Sequence, residues 1–344
     1  MNLLACDLGG TKTVIGIYTF DKGLKLLYKK LYKSQEWSDF DLIINDFLIN
    51  IPEDINRPDY GCIGVAGHIS AGKAKITNIG WILNKDNLKQ SFNLKEVILI
   101  NDFSVLIYGI DFIKESQYLT IQSSNQKSDP DNKYIAIIGA GTGLGIARGL
   151  ITQQKIFTLP SEGGHREYSP RSKEEWELCQ WIRKELGVNR ISIERVVSGK
   201  GLATIARWRL NKTDAISHPI TQILRNSHID KEIDLGELVT DYAKKGDQIM
   251  TEVLELWLSA YGSAIGDLAL QELCTSGLWI AGGVAAKIPE SIKSMTFINA
   301  LHNKGRFTDV VKNIPINLVI DHEFGLFSSA CKAHLISKSS ENIL

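Results

Sequence analysis

The chain opens on short apolar runs cut by glycine and aspartate. Leu3 to Cys6 ends at Asp7, Gly9-Gly10 make a turn, and Val14-Ile15-Gly16-Ile17-Tyr18 returns as a strand. A second turn at Asp21-Lys22-Gly23 leads into Leu24 to Tyr32, so this stretch predicts a three-stranded meander. From Phe40 to Leu48 the apolar residues recur at helical spacing. Cys62 to Ala66 and Val97 to Ile100 are continuous apolar runs of the length of buried strands. The second of these meets Asn101-Asp102, and a helical pattern follows from Phe103 to Ile110.

A second unit begins near Tyr118. Tyr134 to Ile138 predicts a strand, Gly139 to Gly145 a glycine-rich turn, and Ile146-Ala147 a return strand. Helical patterns cover Lys173 to Leu186, Gly201 to Arg209 and about Asp247 to Leu273. Leu278 to Ile280 is a strand that meets Ala281-Gly282-Gly283, Ile316 to Ile320 a further strand, and Gly325 to Ile336 a closing helix. Ser123 to Asn132 is the most polar stretch and reads as a surface loop. Each half carries a Gly/Thr turn between two strands, which points to an internal duplication.

Composition narrows the class. A length of 344 residues suggests two domains, at about 150 residues each. Formal net charge +0 argues against a sequence-blind nucleic-acid binder, which needs a basic surface to neutralise phosphates. No apolar run reaches the roughly 18 residues of a membrane span, and the start shows no basic segment followed by a long apolar one. The five cysteines are scattered without a CxxC pair, as expected of reduced thiols. The seven histidines show no HxxxH or Cys/His spacing, which argues against zinc.

Four segments carry candidate chemistry. Asp7-Leu8-Gly9-Gly10-Thr11 reads either as an ordinary hairpin turn or as an anion cradle, with successive N–H groups and the Thr11 hydroxyl facing phosphate and Asp7 holding a hydrated Mg²⁺. Gly139-Ala140-Gly141-Thr142-Gly143-Leu144-Gly145 is a second such turn or a structural loop; it lacks the third glycine and the following helix of a dinucleotide fingerprint. Asp102 is either a helix cap or a general base at a strand-to-helix junction. Glu162 and His165, in Ser161-Glu162-Gly163-Gly164-His165, are either solvated loop residues or partners for sugar hydroxyls. Gly67 to Ala74 nearly spells a P-loop but ends in Ala74, which has no hydroxyl for Mg²⁺.

Taken together, these segments resemble the bacterial glucokinase family of the actin-like sugar-kinase superfamily, nearly from end to end. Asp7 to Thr11 matches its first phosphate motif, Gly139 to Gly145 its second, and Ala281-Gly282-Gly283 its adenosine motif. Ile100-Asn101-Asp102-Phe103 matches the catalytic segment; Leu159 to His165 and Glu194-Arg195-Val196-Val197-Ser198-Gly199 match the sugar-site segments. Thr77-Asn78-Ile79-Gly80-Trp81 and Lys304-Gly305-Arg306-Phe307 match further stretches. Two positions depart: His68 stands where relatives often have Pro, and Lys12 where they commonly carry Asn.

The resemblance implies an α/β fold of two actin-like ATPase (ribonuclease H-like) domains flanking a cleft. Residues 1–112 plus 322–344 would form the small domain and 113–321 the large one. It implies a cytoplasmic, ATP- and Mg²⁺-dependent glucokinase of glycolysis, acting as a homodimer on the 6-hydroxyl of glucose. Asp102 would be the base; Asn101, Asp102, Glu162, His165 and Glu194 would bind glucose. Asp7, Gly9, Gly10, Thr11, Gly139, Thr142, Gly143, Gly282 and Gly283 would hold the nucleotide, with Mg²⁺ reached from Asp7 through water. A kinase for another hexose or amino sugar, and a non-catalytic sugar sensor on the same fold, are the alternatives. Intact Asp102 and both glycine turns argue against a sensor. A regulator would need a DNA-binding segment, and strand one begins within three residues of Met1.

Overall fold

The computed structural model describes residues 1–76, 79–124, 132–153, 155–226 and 234–341. The chain divides into two compact units, one of Met1–Gln117, Ala147–Pro160 and Asp321–Leu344, the other of Tyr118–Ile146 and Ser161–Ile320.

In the first unit β1 (Asn2–Leu8), β2 (Lys12–Phe20) and β3 (Leu24–Lys33) form the expected antiparallel meander. β4 (Tyr60–Val65) lies parallel to β1. Three short strands, β5 (His68–Ser70), β6 (Lys73–Lys75) and β7 (Ile82–Asn84), make a separate small sheet. The near-P-loop is therefore a hairpin, turned at Ala71 and Gly72 with positive φ. β8 (Glu96–Asn101) completes the order β3-β2-β1-β4-β8, parallel to β4. Parallel neighbours need a crossover. The helix Phe40–Ile49 provides one, its N-terminus capped by Asp39, which accepts the Leu42 N–H at 2.9 Å. Its Phe40, Ile43, Ile44 and Phe47 are buried with Cys6, Ile15 and Ile63 in one core cluster. The C-terminal helix Phe324–Glu341 packs on β1 and β4, and Ser329 Oγ donates to Cys6 O at 3.0 Å.

The remaining strands are β9 (Tyr118–Gln122), β10 (Asn132–Ala140), β11 (Leu144–Thr152), β12 (Ile156–Ser161), β13 (Leu278–Ala281) and β14 (Ile316–Val319), in the order β12-β11-β10-β13-β14-β9. β10, β13 and β14 are parallel, and β9 is antiparallel to β14. The helix Gln248–Glu272 begins at Asp247, which accepts from Met250 N at 2.9 Å and lies 3.0 Å from Nε2 of buried His218. Gly262 and Gly266 let the helix Met295–His302 come close: an added Cβ would sit 2.4 Å from Phe297 O or 2.3 Å from Leu301 O. Lys304 clamps this crossing through Asp267 at 2.7 Å and Ser263 Oγ at 3.1 Å. That gives the Lys304 to Phe307 segment a structural role. All five cysteines are buried and free, and burial raises every thiol, Cys62 and Cys274 to about 12.

The sequence pattern needs correction at two turns. The helix expected from Phe103 begins only at Leu106. The Asn101 Oδ1 atom accepts from Phe103 N at 3.1 Å and Ser104 N at 3.0 Å, which folds residues 102–105 into turns first. The glycine turn expected over Gly139 to Gly145 is only Gly141 to Gly143, because Gly139 and Ala140 belong to β10 and Leu144 and Gly145 to β11. Part of the polar stretch from Ser123 to Asn132, residues 125–131, and the pair Thr77-Asn78 lie outside the described residues.

One buried histidine sets an acid limit. His334 stacks on Phe20 with centroids 3.8 Å apart, and among the described residues neither ring nitrogen has a hydrogen-bond partner. Burial, helped by the Lys338 charge, lowers its pKa to about 4. The unfolded chain therefore binds more protons than the folded one between about pH 6.5 and pH 4. Stability from this site is complete above pH 6.5 and is lost as the pH falls through that window. His334→Phe keeps the stack and does not titrate, so its melting temperature is expected to drop less than wild type between pH 7 and pH 5. Equal drops, by calorimetry at both pH values, would refute this role.

Candidate active site

In the first unit the turn after β1 is closed by Gly9 N to Lys12 O at 3.0 Å. Ser34 braces it, donating its N–H to Thr11 O at 3.0 Å and its hydroxyl to Gly9 O at 2.7 Å. A Cβ at Gly9 would stand 2.9 Å from Lys12 O, so the turn has this shape only with glycine there. Thr11 is exposed and Gly10 half-buried, which leaves the donors of the turn accessible. Asp7 lies beneath. Burial raises its pKa, and the Lys12 ammonium partly offsets this. Among the described residues nothing donates a hydrogen bond to its carboxylate, and Gly325 leaves room for it: a Cβ there would meet Oδ2 at 2.7 Å. Asp7 and Lys12 line a cavity of about 260 Å³ with Lys29, His322 and Glu323. A half-buried carboxylate that lines a cavity and is short of partners suits a hydrated divalent cation. No cluster of three or more metal-ligating side chains occurs among the described residues, so any cation would be held largely by water and by its anionic ligand.

Asp102 stands at the end of β8, its N–H bonded to Val65 O at 3.0 Å. Its Oδ1 accepts from Asn101 Nδ2 at 3.0 Å. The side-chain oxygen that accepts from Phe103 N and Ser104 N at this junction belongs to Asn101. Asn101 is committed at both ends of its amide, to the backbone turn and to Asp102.

The second unit builds its turn with Gly141 N to Gly143 O at 2.9 Å. Thr142 at the tip is exposed. Two further segments converge on this turn. Gly199, first residue of the helix Gly199–Leu210, donates its N–H to Gly141 O at 2.8 Å. Gly282, at φ 91°, packs on Ala140, where a Cβ would meet the carbonyl oxygen at 2.6 Å. Gly283 opens the helix Gly283–Lys287 with open space beside it. The glycine turn, the start of the helix Gly199–Leu210 and Gly282 thus pack together.

The loop Ser161 to His165 lies on the start of β11. A Cβ at Gly164 would stand 2.0 Å from Leu144 O, and one at Gly163 3.1 Å from Ile146 Cδ1. Glu162 and His165 are exposed, 3.8 Å apart between Oε2 and Nε2. Arg190 donates to His165 O, Ile193 N to Arg166 O at 2.8 Å, and Tyr168 N to Ile191 O at 2.9 Å. These bonds tie the loop to the segment carrying Glu194. Glu194 Oε2 in turn accepts Leu144 N–H at 2.9 Å. Glu162, His165 and Glu194 are therefore gathered on the start of β11, next to the glycine turn. Asn101 and Asp102 belong to the first unit. Three supporting roles escaped the sequence reading: those of Ser34, Arg190 and Leu144. Each acts through a brace or a backbone group, and no residue pattern marks it.

A family model described as Glucokinase matches residues 4–336. A glucokinase from Nostoc punctiforme is 36% identical over 345 residues, covering 97% of this chain and 99% of the relative. The crystal structure of a glucokinase from an Antarctic psychrotroph is 26% identical with TM-score 0.78, covering 97% of this chain and 99% of that one. A glucokinase from Balamuthia mandrillaris, crystallised in complex with glucose, shares the fold at TM-score 0.78 and 19% identity, covering 97% of this chain and 93% of that one.

Proposed function

The chain belongs to the glucokinase family, and from that premise we propose that it transfers the γ-phosphoryl group of ATP to the 6-hydroxyl of glucose, giving ADP and glucose 6-phosphate. The observation that carries this reading is the gathering of Glu162, His165 and Glu194 on the start of β11, beside the Gly141 to Gly143 turn. Candidate acceptors for sugar hydroxyls adjoin a glycine turn that can offer backbone donors to phosphate.

On this reading Glu162, His165, Glu194 and Asn101 fix the sugar. Asp102 accepts the 6-hydroxyl proton as the oxygen attacks the γ-phosphorus in line. The N–H groups of Gly10 and Thr11 and of Thr142 and Gly143 meet the charge that develops on the phosphoryl oxygens. Gly282 and Gly283 let the nucleoside lie against backbone. A hydrated Mg²⁺ near Asp7 would neutralise phosphate charge when bound; Asp7 and its desolvated setting fit that role. The fold is mixed α/β, and two actin-like domains flanking a cleft are the finer form of this reading, with a cytoplasmic homodimer in glycolysis as its setting. No helix among the described residues is long and apolar enough to cross a membrane.

A coupled assay over a panel of hexoses and phosphoryl donors tests the proposal. Glucose is expected to surpass galactose and fructose in kcat/KM, because a site that bonds each hydroxyl leaves buried partners unpaired when one is moved. Equal kcat/KM for galactose and glucose would overturn the substrate assignment. A higher value for mannose or an amino sugar would replace glucose with that sugar.

A further inference from the structure

Glu194 touches more than a sugar-binding residue needs to touch. Its Oε2 takes the Leu144 N–H at 2.9 Å, the first N–H after the glycine turn. The same oxygen fills the space beside Gly143, where an added Cβ would stand 2.4 Å away. The backbone of Glu194 is fixed to the other side of that turn. Ser198 Oγ donates to Glu194 O at 2.7 Å, Ser198 also caps Gly201 N at 2.9 Å, and the next residue, Gly199, donates to Gly141 O at 2.8 Å. Trp257 Nε1 holds Ser198 O at 3.1 Å. A closed circuit therefore runs from Leu144 through the Glu194 carboxylate, Ser198 and Gly199 back to Gly141. Among the described residues the second oxygen, Oε1, has no hydrogen-bond partner.

We propose that Glu194 is a positioning residue shared by both ligands: Oε2 holds the phosphate-facing glycine turn, Oε1 receives the sugar, and each ligand thereby tightens the other. This rests on the glucokinase reading of the site and deepens it. A sugar hydroxyl on Oε1 fixes the carboxylate in the one orientation that also fits Gly143 and Leu144. The turn then offers its N–H groups to phosphate without further ordering. By linkage the effect is reciprocal, so a nucleotide that orders the turn raises sugar affinity by the same factor.

Gly143 and Gly141 separate this proposal from a simple contact. Gly143→Ala places its methyl against the carboxylate and is expected to weaken glucose binding about tenfold or more, titrated calorimetrically without nucleotide. At Gly141 an added Cβ meets nothing within 4 Å, and φ is not positive. Gly141→Ala adds no clash with the carboxylate, so its loss of glucose affinity is expected to be several-fold smaller than that of Gly143→Ala. The converse measurement uses ADP without sugar. Glu194→Ala frees Leu144 and is expected to weaken ADP about threefold or more, whereas Glu162→Ala leaves ADP affinity unchanged. If Glu194→Ala binds glucose as wild type does, Glu194 is no sugar ligand and both readings of it fall. If Glu194→Ala loses glucose affinity while Gly143→Ala does not, and ADP binds Glu194→Ala normally, the coupling alone is overturned and the sugar contact stands. Should Gly143→Ala fail to fold by thermal melting, the ADP titration of Glu194→Ala decides.

Discussion

Asp102→Asn is expected to lower kcat by roughly 10²–10⁴-fold, the usual contribution of a general base. Affinity for glucose is expected to fall far less, because an amide in the same place still meets the 6-hydroxyl. The geometry makes this substitution a clean one. The backbone turn over residues 102–105 hangs on Asn101 Oδ1, which the variant leaves alone. The Asn101 Nδ2 that bonds Asp102 Oδ1 at 3.0 Å finds an amide oxygen in its place. A lost kcat then reports the missing carboxylate and not a disordered junction. Steady-state kinetics with a direct glucose titration checks this, and near-wild-type kcat would require a base elsewhere.

Glu162→Ala is expected to raise KM for glucose roughly ten- to a hundred-fold, the worth of one charged hydrogen bond, with KM for ATP little changed. Its side chain is 85% exposed, and among the described residues its side-chain neighbour His165 Nε2 is 3.8 Å away, so removing it disturbs little of the fold. What the loop needs for its shape lies in Gly164 against Leu144 and in Arg190 on His165 O. If ATP binding weakens and glucose binding does not, the loop serves the nucleotide instead.

The strands and helices legible in the sequence were those with a strong period and clear punctuation: the meander from β1 to β3, the helix Phe40–Ile49 between turn signals, and Lys173–Leu186, which begins after Ser172 and ends at left-handed Gly187. β12 went unread because Pro160 sits in it, and proline signals against a strand except at an edge, where β12 lies. β9 mixes Thr120 and Gln122 with apolar residues and is likewise an edge strand. The helix onset at Leu106 was misplaced because an asparagine side chain competes with helical bonding, a contest decided by one rotamer. Among the candidate site residues, the types and order were legible as motifs. The bond from Leu144 N to Glu194 was not, since it joins positions 50 residues apart and one partner is a backbone N–H that any residue but proline would supply.

The helix Phe324–Glu341 also fixes an order of events during synthesis. Its Gly325 lies against the Asp7 carboxylate, and its Ser329 reaches back 323 residues to Cys6 O. The first motif of the chain thus acquires its floor only when this late segment has left the ribosome. Until then β1 and β4 have bare apolar faces where the helix will pack, and such faces are where nascent chains associate wrongly or recruit chaperones. Closing so long a loop late also slows the final step of folding. A ribosome-bound nascent chain stopped before Phe324 would therefore hold the Asp7 to Thr11 residues without yet holding their finished site.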